Sequence, residues 1–266
     1  MKMTRILTPL ALAVSAAAAS TAMAGPSGYV PAPPPAGLYK AGTAVVRIGA
    51  SEVDPDDSSS NLRYPDLFPF YDGSRVELDS DTTWNFSAMF MPADHFGVEF
   101  TYTGQSDLDM DLRNLDSFYV DQFDTNRLRL GTLKSSSGTL MFNWFPVCTE
   151  SWVQPYVGIG ANYTDFDSLT LRGNANDYLS IVDDGLGVDY PGRVYVDNRW
   201  GWAGQVGVDI LFGRDSNWLV NAAVQYLDVE TTMDIHYPVE NNYVNSIRTD
   251  LDVDPWIYNL GIGYKF

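Results

Sequence analysis

Few side chains in this sequence are of the types that do covalent chemistry: two histidines, His95 and His236, and one cysteine, Cys148. A side-chain nucleophile needs a base within hydrogen-bond reach and a third group to orient that base. His95, in ADHFGVEF, has Glu99 one strand turn away and stands beside a tight turn, which is a structural place for an imidazole. His236 lies in a long acidic connection with no evident partner, and Cys148, in a short turn, is an exposed thiol rather than an activated one. Catalysis is therefore not expected, and neither is a cofactor. The lone cysteine also excludes an internal disulfide and a cysteine-based zinc cluster.

Carboxylates are the abundant chemistry. Asp and Glu number 34 against 16 Lys and Arg, for a net charge of -18. That balance argues against nucleic acid or an anionic surface as a direct partner. The stretches DPDDSSSN (Asp54 to Asn61), SDLDMDLRNLD (Ser106 to Asp116), NDYLSIVDDGLGVD (Asn176 to Asp189) and DLDVD (Asp250 to Asp254) offer oxygen ligands to calcium or magnesium, which could bridge to lipopolysaccharide phosphates. None has EF-hand spacing or its glycine, so no metal site is expected and a solvated acidic face is the plainer reading. In SDLDMDLRNLD, Leu108, Met110 and Leu112 alternate with Asp107, Asp109 and Asp111, so a strand is expected to continue there, with its apolar face unassigned.

A third set, Arg47, Glu99, Asp209 and Lys265, gains meaning from the segments that carry it. The C-terminal PWIYNLGIGYKF sends Trp256, Tyr258, Leu260, Ile262, Tyr264 and Phe266 to one face, and Ile257, Asn259, Gly261, Gly263 and Lys265 to the other. The same two-faced pattern recurs around Ala44–Gly49, Trp84–Phe90, Phe96–Tyr102, Thr139–Trp144, Val153–Thr164, Trp200–Phe212 and Trp218–Leu227. Eight such strands suffice for a small barrel. One face is aromatic at the strand ends, as interfacial girdles are. The other carries Arg47, Glu99, Asn162, Gln205, Asp209, Asn221, Gln225, Asn259 and Lys265, with Asn143, too many polar groups for a dry core without a matched network. These are the expected lumen-lining residues. The four charged ones are expected to form part of one inner-wall network.

Connection lengths alternate as they do in outer-membrane barrels. Long gaps (about 51–81, 104–138, 165–198 and 231–254) follow short ones (91–94, 146–150 and 213–217). The fold expected is all-β: an eight-stranded antiparallel transmembrane β-barrel with long extracellular loops and short periplasmic turns. Lys2 and Arg5, the apolar run after them and Ala22-Met23-Ala24 make residues 1–24 an expected signal peptide, whose loss would leave the chain two units more negative. Residues 25–42, rich in Pro, Gly and Ala, read as a flexible periplasmic lead-in, and residues 43–266 as the barrel.

The blocks VRIGA (Val46 to Ala50), ADHFGVEF (Ala93 to Phe100), QPYVGIGANYTDF (Gln154 to Phe166), WGWAGQVGVDILF (Trp200 to Phe212), NWLVNAAVQYLDVETT (Asn217 to Thr232) and DVDPWIYNLGIGYKF (Asp252 to Phe266) resemble the OmpW family of small outer-membrane barrels. LKSSSGTLMFNWF (Leu133 to Phe145) departs from the family's usual Pro-containing entry to the fourth strand. The resemblance implies a narrow, partly hydrophobic lumen serving passage of small apolar solutes, with lateral exit into the bilayer, and a bacteriocin-receptor role in some members. It also implies that Tyr264 and Phe266 belong to the terminal signal read by the barrel-assembly machinery. Outer-membrane lipid and lipopolysaccharide are the expected surroundings. A structural, adhesive or receptor barrel acting through acidic surface loops is the alternative.

Overall fold

The computed structural model describes residues 38–56, 58–59, 75–114, 127–182, 192–213, 216–238 and 244–266. The expected signal peptide and most of the lead-in lie outside the described residues, as do the centres of the long connections. In chain order the elements are β1 (Ala44–Asp54), β2 (Ser58–Ser59), β3 (Arg75–Leu78), β4 (Asp81–Ala93), β5 (Phe96–Arg113), β6 (Arg127–Trp144), β7 (Val153–Phe166), β8 (Leu169–Thr170), α1 (Gly173–Val182), β9 (Arg193–Val196), β10 (Arg199–Leu211), β11 (Trp218–Leu227), β12 (Glu230–Pro238), β13 (Val244–Asp252) and β14 (Trp256–Lys265).

Eight of these strands close a ring in the order β1, β4, β5, β6, β7, β10, β11, β14, each antiparallel to its neighbours. The β1–β14 ladder, from Val45 opposite Lys265 to Asp54 opposite Trp256, joins first strand to last and leaves no edge. Alternation then decides the faces. Ile48, Phe86, Phe100, Leu140, Ile159 and Leu260 point out, exposed. Two belts of aromatic pairs bound this apolar band: Trp84–Tyr102, Tyr163–Trp200 and Tyr226–Trp256 at the long-loop end, and Phe96–Phe142, Trp218–Tyr264 and Tyr264–Phe266 at the short-turn end. From Trp256 to Tyr264 is about 26 Å along a strand at the usual rise. At the tilt of such barrels that is about 20 Å of membrane.

The wall strands run further than their apolar alternation does. β5 and β6 are 18 residues each, well beyond the nine to eleven that a crossing needs. The expected connection at 104–138 is thus mostly strand, and that at 231–254 holds β12 and β13, so that His236 sits in a ladder and not in a loop. Above the membrane the outward residues become charged, as Arg127, Arg129 and Lys134 are, and the apolar alternation that marks a lipid-facing strand disappears from the sequence. β3 pairs with β5, while β2, β13, β12, β9 and β8 form a second sheet.

The inside is layered, and β1 alone shows the layers. Its inward Val45 joins a turn-end apolar cluster with Met89, Met91, Phe145, Tyr156, Leu211 and Leu219. Arg47 and Ser51 belong to a buried polar layer. Val53 joins a loop-end apolar cluster fed by both sheets, including Leu108, Met110, Leu112 and Leu133 from β5 and β6, Val194 from β9, Ile235 from β12 and Ile247 from β13. The unassigned face of SDLDMDLRNLD is thereby settled: its apolar residues point inward.

Candidate functional site

Arg47, Glu99 and Asp209 come from three strands, β1, β5 and β10, and meet at mid-barrel with 3%, 3% and 0% of their surfaces exposed. The Arg47 guanidinium forks onto Asp209, Nε donating to Oδ1 at 3.0 Å and Nη2 to Oδ2 at 2.5 Å, while Nη1 donates to Glu99 Oε1 at 2.6 Å. A single charge in so dry a place would cost several kcal/mol, and here each is paired. Amides complete the layer. Asn143 and Gln205 donate to Glu99 Oε2 at 2.6 and 3.2 Å, Asn221 donates to Asp209 Oδ1 at 2.8 Å, and Gln225 donates to Gln205 Oε1 at 2.9 Å. Both carboxylates are thus ringed by donors.

Glycines on the inner face make room for this layer. A Cβ at Gly207 would meet the Tyr156 ring at 2.5 Å, and one at Gly158 would run into the Asn143 amide. Arg47 in turn lies over the Tyr156 ring, 5.8 Å from its centroid.

The structure divides the expected lumen residues into groups. Arg47, Glu99, Gln205, Asp209, Asn221 and Gln225 share the network just described. Asn259 belongs to a neighbouring cluster, accepting from Ser51 Oγ at 2.5 Å and from Asn85 at 3.0 Å. Asn162 is held apart with Thr139 and Thr164, at 3.0 and 2.8 Å. Lys265, half-buried opposite Val45 at the turn end, has no described bond into the network, so three of the four charged residues meet and the fourth does not. Tyr264 and Phe266 meet edge to face in the turn-end belt.

One member escaped sequence reasoning. Tyr39, in the segment assigned to the lead-in, is fully buried and donates its hydroxyl to Asp209 Oδ2 at 2.6 Å. The available signal was the break from PAPPPAG to Leu38-Tyr39, an apolar pair one turn ahead of β1.

The reactive residues occupy structural places. His95, at φ 68°, closes the β4–β5 turn, its Nδ1 donating to the Phe145 carbonyl at 2.8 Å. The His236 ring packs on Tyr195 at 5.2 Å, and Cys148 is exposed. On β5, Asp109 and the buried Asp111 pair with Arg129 and Arg127, and Arg113 pairs with Glu77 at 2.9 Å. On β13, Arg248 forks onto Asp234 at 2.7 and 3.0 Å, and this bond together with the aspartate's charge raises the guanidinium's pKa further above its ordinary value.

The sequence model of the OmpW family matches residues 40–266. The chain belongs to the OmpW family. Outer membrane protein W of Salmonella typhimurium (strain LT2) is 32% identical over 170 residues, covering 64% of this chain and 72% of that protein. Outer membrane protein W of Vibrio cholerae is 25% identical over 238 residues, covering 87% of this chain and 92% of its relative. Among solved structures, the crystal structure of the outer membrane protein OprG from Pseudomonas aeruginosa superimposes with a TM-score of 0.69 at 33% identity, covering 86% of this chain and 97% of that one. As an OmpW-family barrel the protein resides in the bacterial outer membrane.

Proposed function

We propose that this barrel takes up small apolar molecules at its outer end and releases them sideways into the outer membrane. One observation carries the reading: a packed apolar cluster, including Leu108, Met110, Leu112, Leu130, Leu133 and Met233, fills the loop end of the barrel directly over a buried layer of charges and amides. Water-soluble cargo gains nothing from entering such a cluster. An apolar solute is favoured there by roughly 25 cal/mol for each Å² it hides from water. It cannot continue down the axis, because crossing the Arg47 layer would strip charges of partners at a cost of several kcal/mol.

The side wall offers less resistance. At the foot of the cluster a cavity of about 20 Å³ is bordered by Thr103, Gly104, Ser106, Ser137, Phe166 and Ile257. There the β5–β6 ladder slips register between Thr103 and Ser106. Outside, the Trp84 indole lies against Gly104 so closely that any side chain at 104 would collide with it. Strand slip, cavity and covering ring together make a point where the wall can part. Met110 and Met233 in the cluster have flexible side chains that can adapt to different solute shapes.

The test is uptake by protein-containing vesicles of an aromatic hydrocarbon dye and of a small sugar. The dye should enter far faster than in protein-free vesicles and the sugar no faster. Sugar entry matching that of the dye would mean an open aqueous path, and the lateral route would be abandoned.

A further inference from the structure

The geometry points to a binding site for a phenolic ring at the periplasmic mouth, with Tyr39 as its tethered occupant and the mouth closed by that occupancy. This goes beyond uptake of apolar solutes and stands independently of it. The strap that carries Tyr39 is stitched to the barrel by its backbone. Leu38 and Tyr39 both donate to the Thr149 carbonyl, at 2.7 and 2.9 Å, Ala41 donates to Asp94 Oδ1 at 2.8 Å, and Gly42 donates to the Met91 carbonyl at 2.8 Å. Gly42, at φ 89°, turns the chain from the strap into β1, a conformation that side-chain-bearing residues rarely adopt. The strap thus folds back across two periplasmic turns and leaves its tyrosine inside the barrel.

The site matches a phenol at each end. Its walls are apolar, with Met91, Phe145, Leu211 and Leu219 in the same cluster and the Phe145 ring tilted against Tyr39 at 5.4 Å. Its floor is Asp209, whose Oδ2 accepts a hydrogen bond from the phenol hydroxyl at 2.6 Å beside the Arg47 fork. Two carboxylates already share that one guanidinium, so the floor disfavours a further anion and welcomes a neutral donor. A phenol is neutral near pH 7, its ordinary pKa lying near 10. Tyr39 enters with its hydroxyl innermost and its Cβ, para to the hydroxyl, leading back to the strap. A free ligand must therefore be a small phenol with its substituent in the para position.

Purified full-length barrel carrying Tyr39→Ala, heated in detergent and reconstituted in planar bilayers, tests this with p-cresol as probe and toluene as control. Loss of the ring should lower Tm by roughly 10 °C and raise ion conductance several-fold. Millimolar p-cresol should reverse both changes saturably, toluene should not, and the wild type, whose site is filled, should respond to neither. Failure of p-cresol to raise the variant's Tm, or equal rescue by toluene, would overturn the phenol site. Unchanged conductance in Tyr39→Ala would overturn closure of the mouth. Should that variant not assemble, Tyr39→Phe decides: it keeps the ring, and a Tm and conductance equal to wild type would remove the Asp209 bond from the argument and the proposal with it.

Discussion

At the scale of single residues, the centre of this molecule is one guanidinium serving two carboxylates. Arg47 is the only cation in the described network, so its loss and the loss of an acid are unequal events. Arg47→Met would leave Glu99 and Asp209 buried, close together and unpaired, and should cost about 3–5 kcal/mol of barrel stability. Glu99→Gln leaves a one-to-one pair of Arg47 with Asp209 and mispairs only the amides of Asn143 and Gln205, for about 1–3 kcal/mol. Asp107→Asn, on the outer wall and 3.9 Å from Lys134, should cost about 0–1 kcal/mol. Urea unfolding in lipid vesicles measures the series. If Arg47→Met proved as mild as Asp107→Asn, each carboxylate would have to be hydrated separately and the network would carry no stability. The sequence made Arg47, Glu99 and Asp209 legible as inward charges, because each sits on the small-residue face of its strand. The network expected of four charges holds these three and omits the fourth. Lys265 obeys the same parity but lies at the turn end, and alternation gives a side chain's face without its height in the barrel.

At the scale of elements, height is what determined success. Where a strand faces lipid, its outward residues are apolar and the alternation is plain, so all eight wall strands were visible in the sequence. Above the membrane the outward residues face water and the signal weakens. The stretch LRLGTLKSSSG reads as a loop, yet it pairs with β5, equally long, as part of β6. The slip between Thr103 and Ser106 was likewise hidden, since a bulge adds a residue without changing composition. That slip is the element on which the proposed lateral exit depends, and a staple beside it tests the dependence. Thr103 and Ser137 stand directly opposite, and opposed residues on antiparallel strands lie about 4.5–5.5 Å apart at Cα, within reach of a disulfide. With Cys148 replaced by Ser, cysteines at positions 103 and 137 should oxidise without unfolding the barrel. Dye uptake should then fall roughly tenfold, equivalent to about 1.4 kcal/mol in the barrier, and recover on reduction. Uptake indifferent to the staple would move the exit elsewhere in the wall.

At the scale of the whole molecule, sidedness and closure come before any traffic through the wall. Protease added to intact cells should cut within residues 51–81 or 165–198 and spare Met91 to Asp94; cleavage of the short turn with the long connections intact would invert the orientation. Closure itself ends at Phe266, whose backbone N–H donates to the Ala44 carbonyl at 2.8 Å and so ties the last residue to the start of β1. Its ring is 72% exposed, facing lipid, and touches the Tyr264 ring edge-on with centroids 4.9 Å apart. Removing that ring leaves the backbone bond and the eight ladders in place. The loss in the finished barrel is at most about 1.5–3 kcal/mol, the value of a fully buried large apolar side chain. A role in assembly would be far larger, because an unassembled chain offers its aromatic terminal strand before any ladder exists. Phe266→Ala should therefore accumulate unassembled in cells, while refolding nearly normally from urea into thin lipid bilayers. Normal assembly in cells together with failure to refold in vitro would reverse the assignment, making Phe266 a packing residue of the girdle and leaving the terminal signal to other residues of β14.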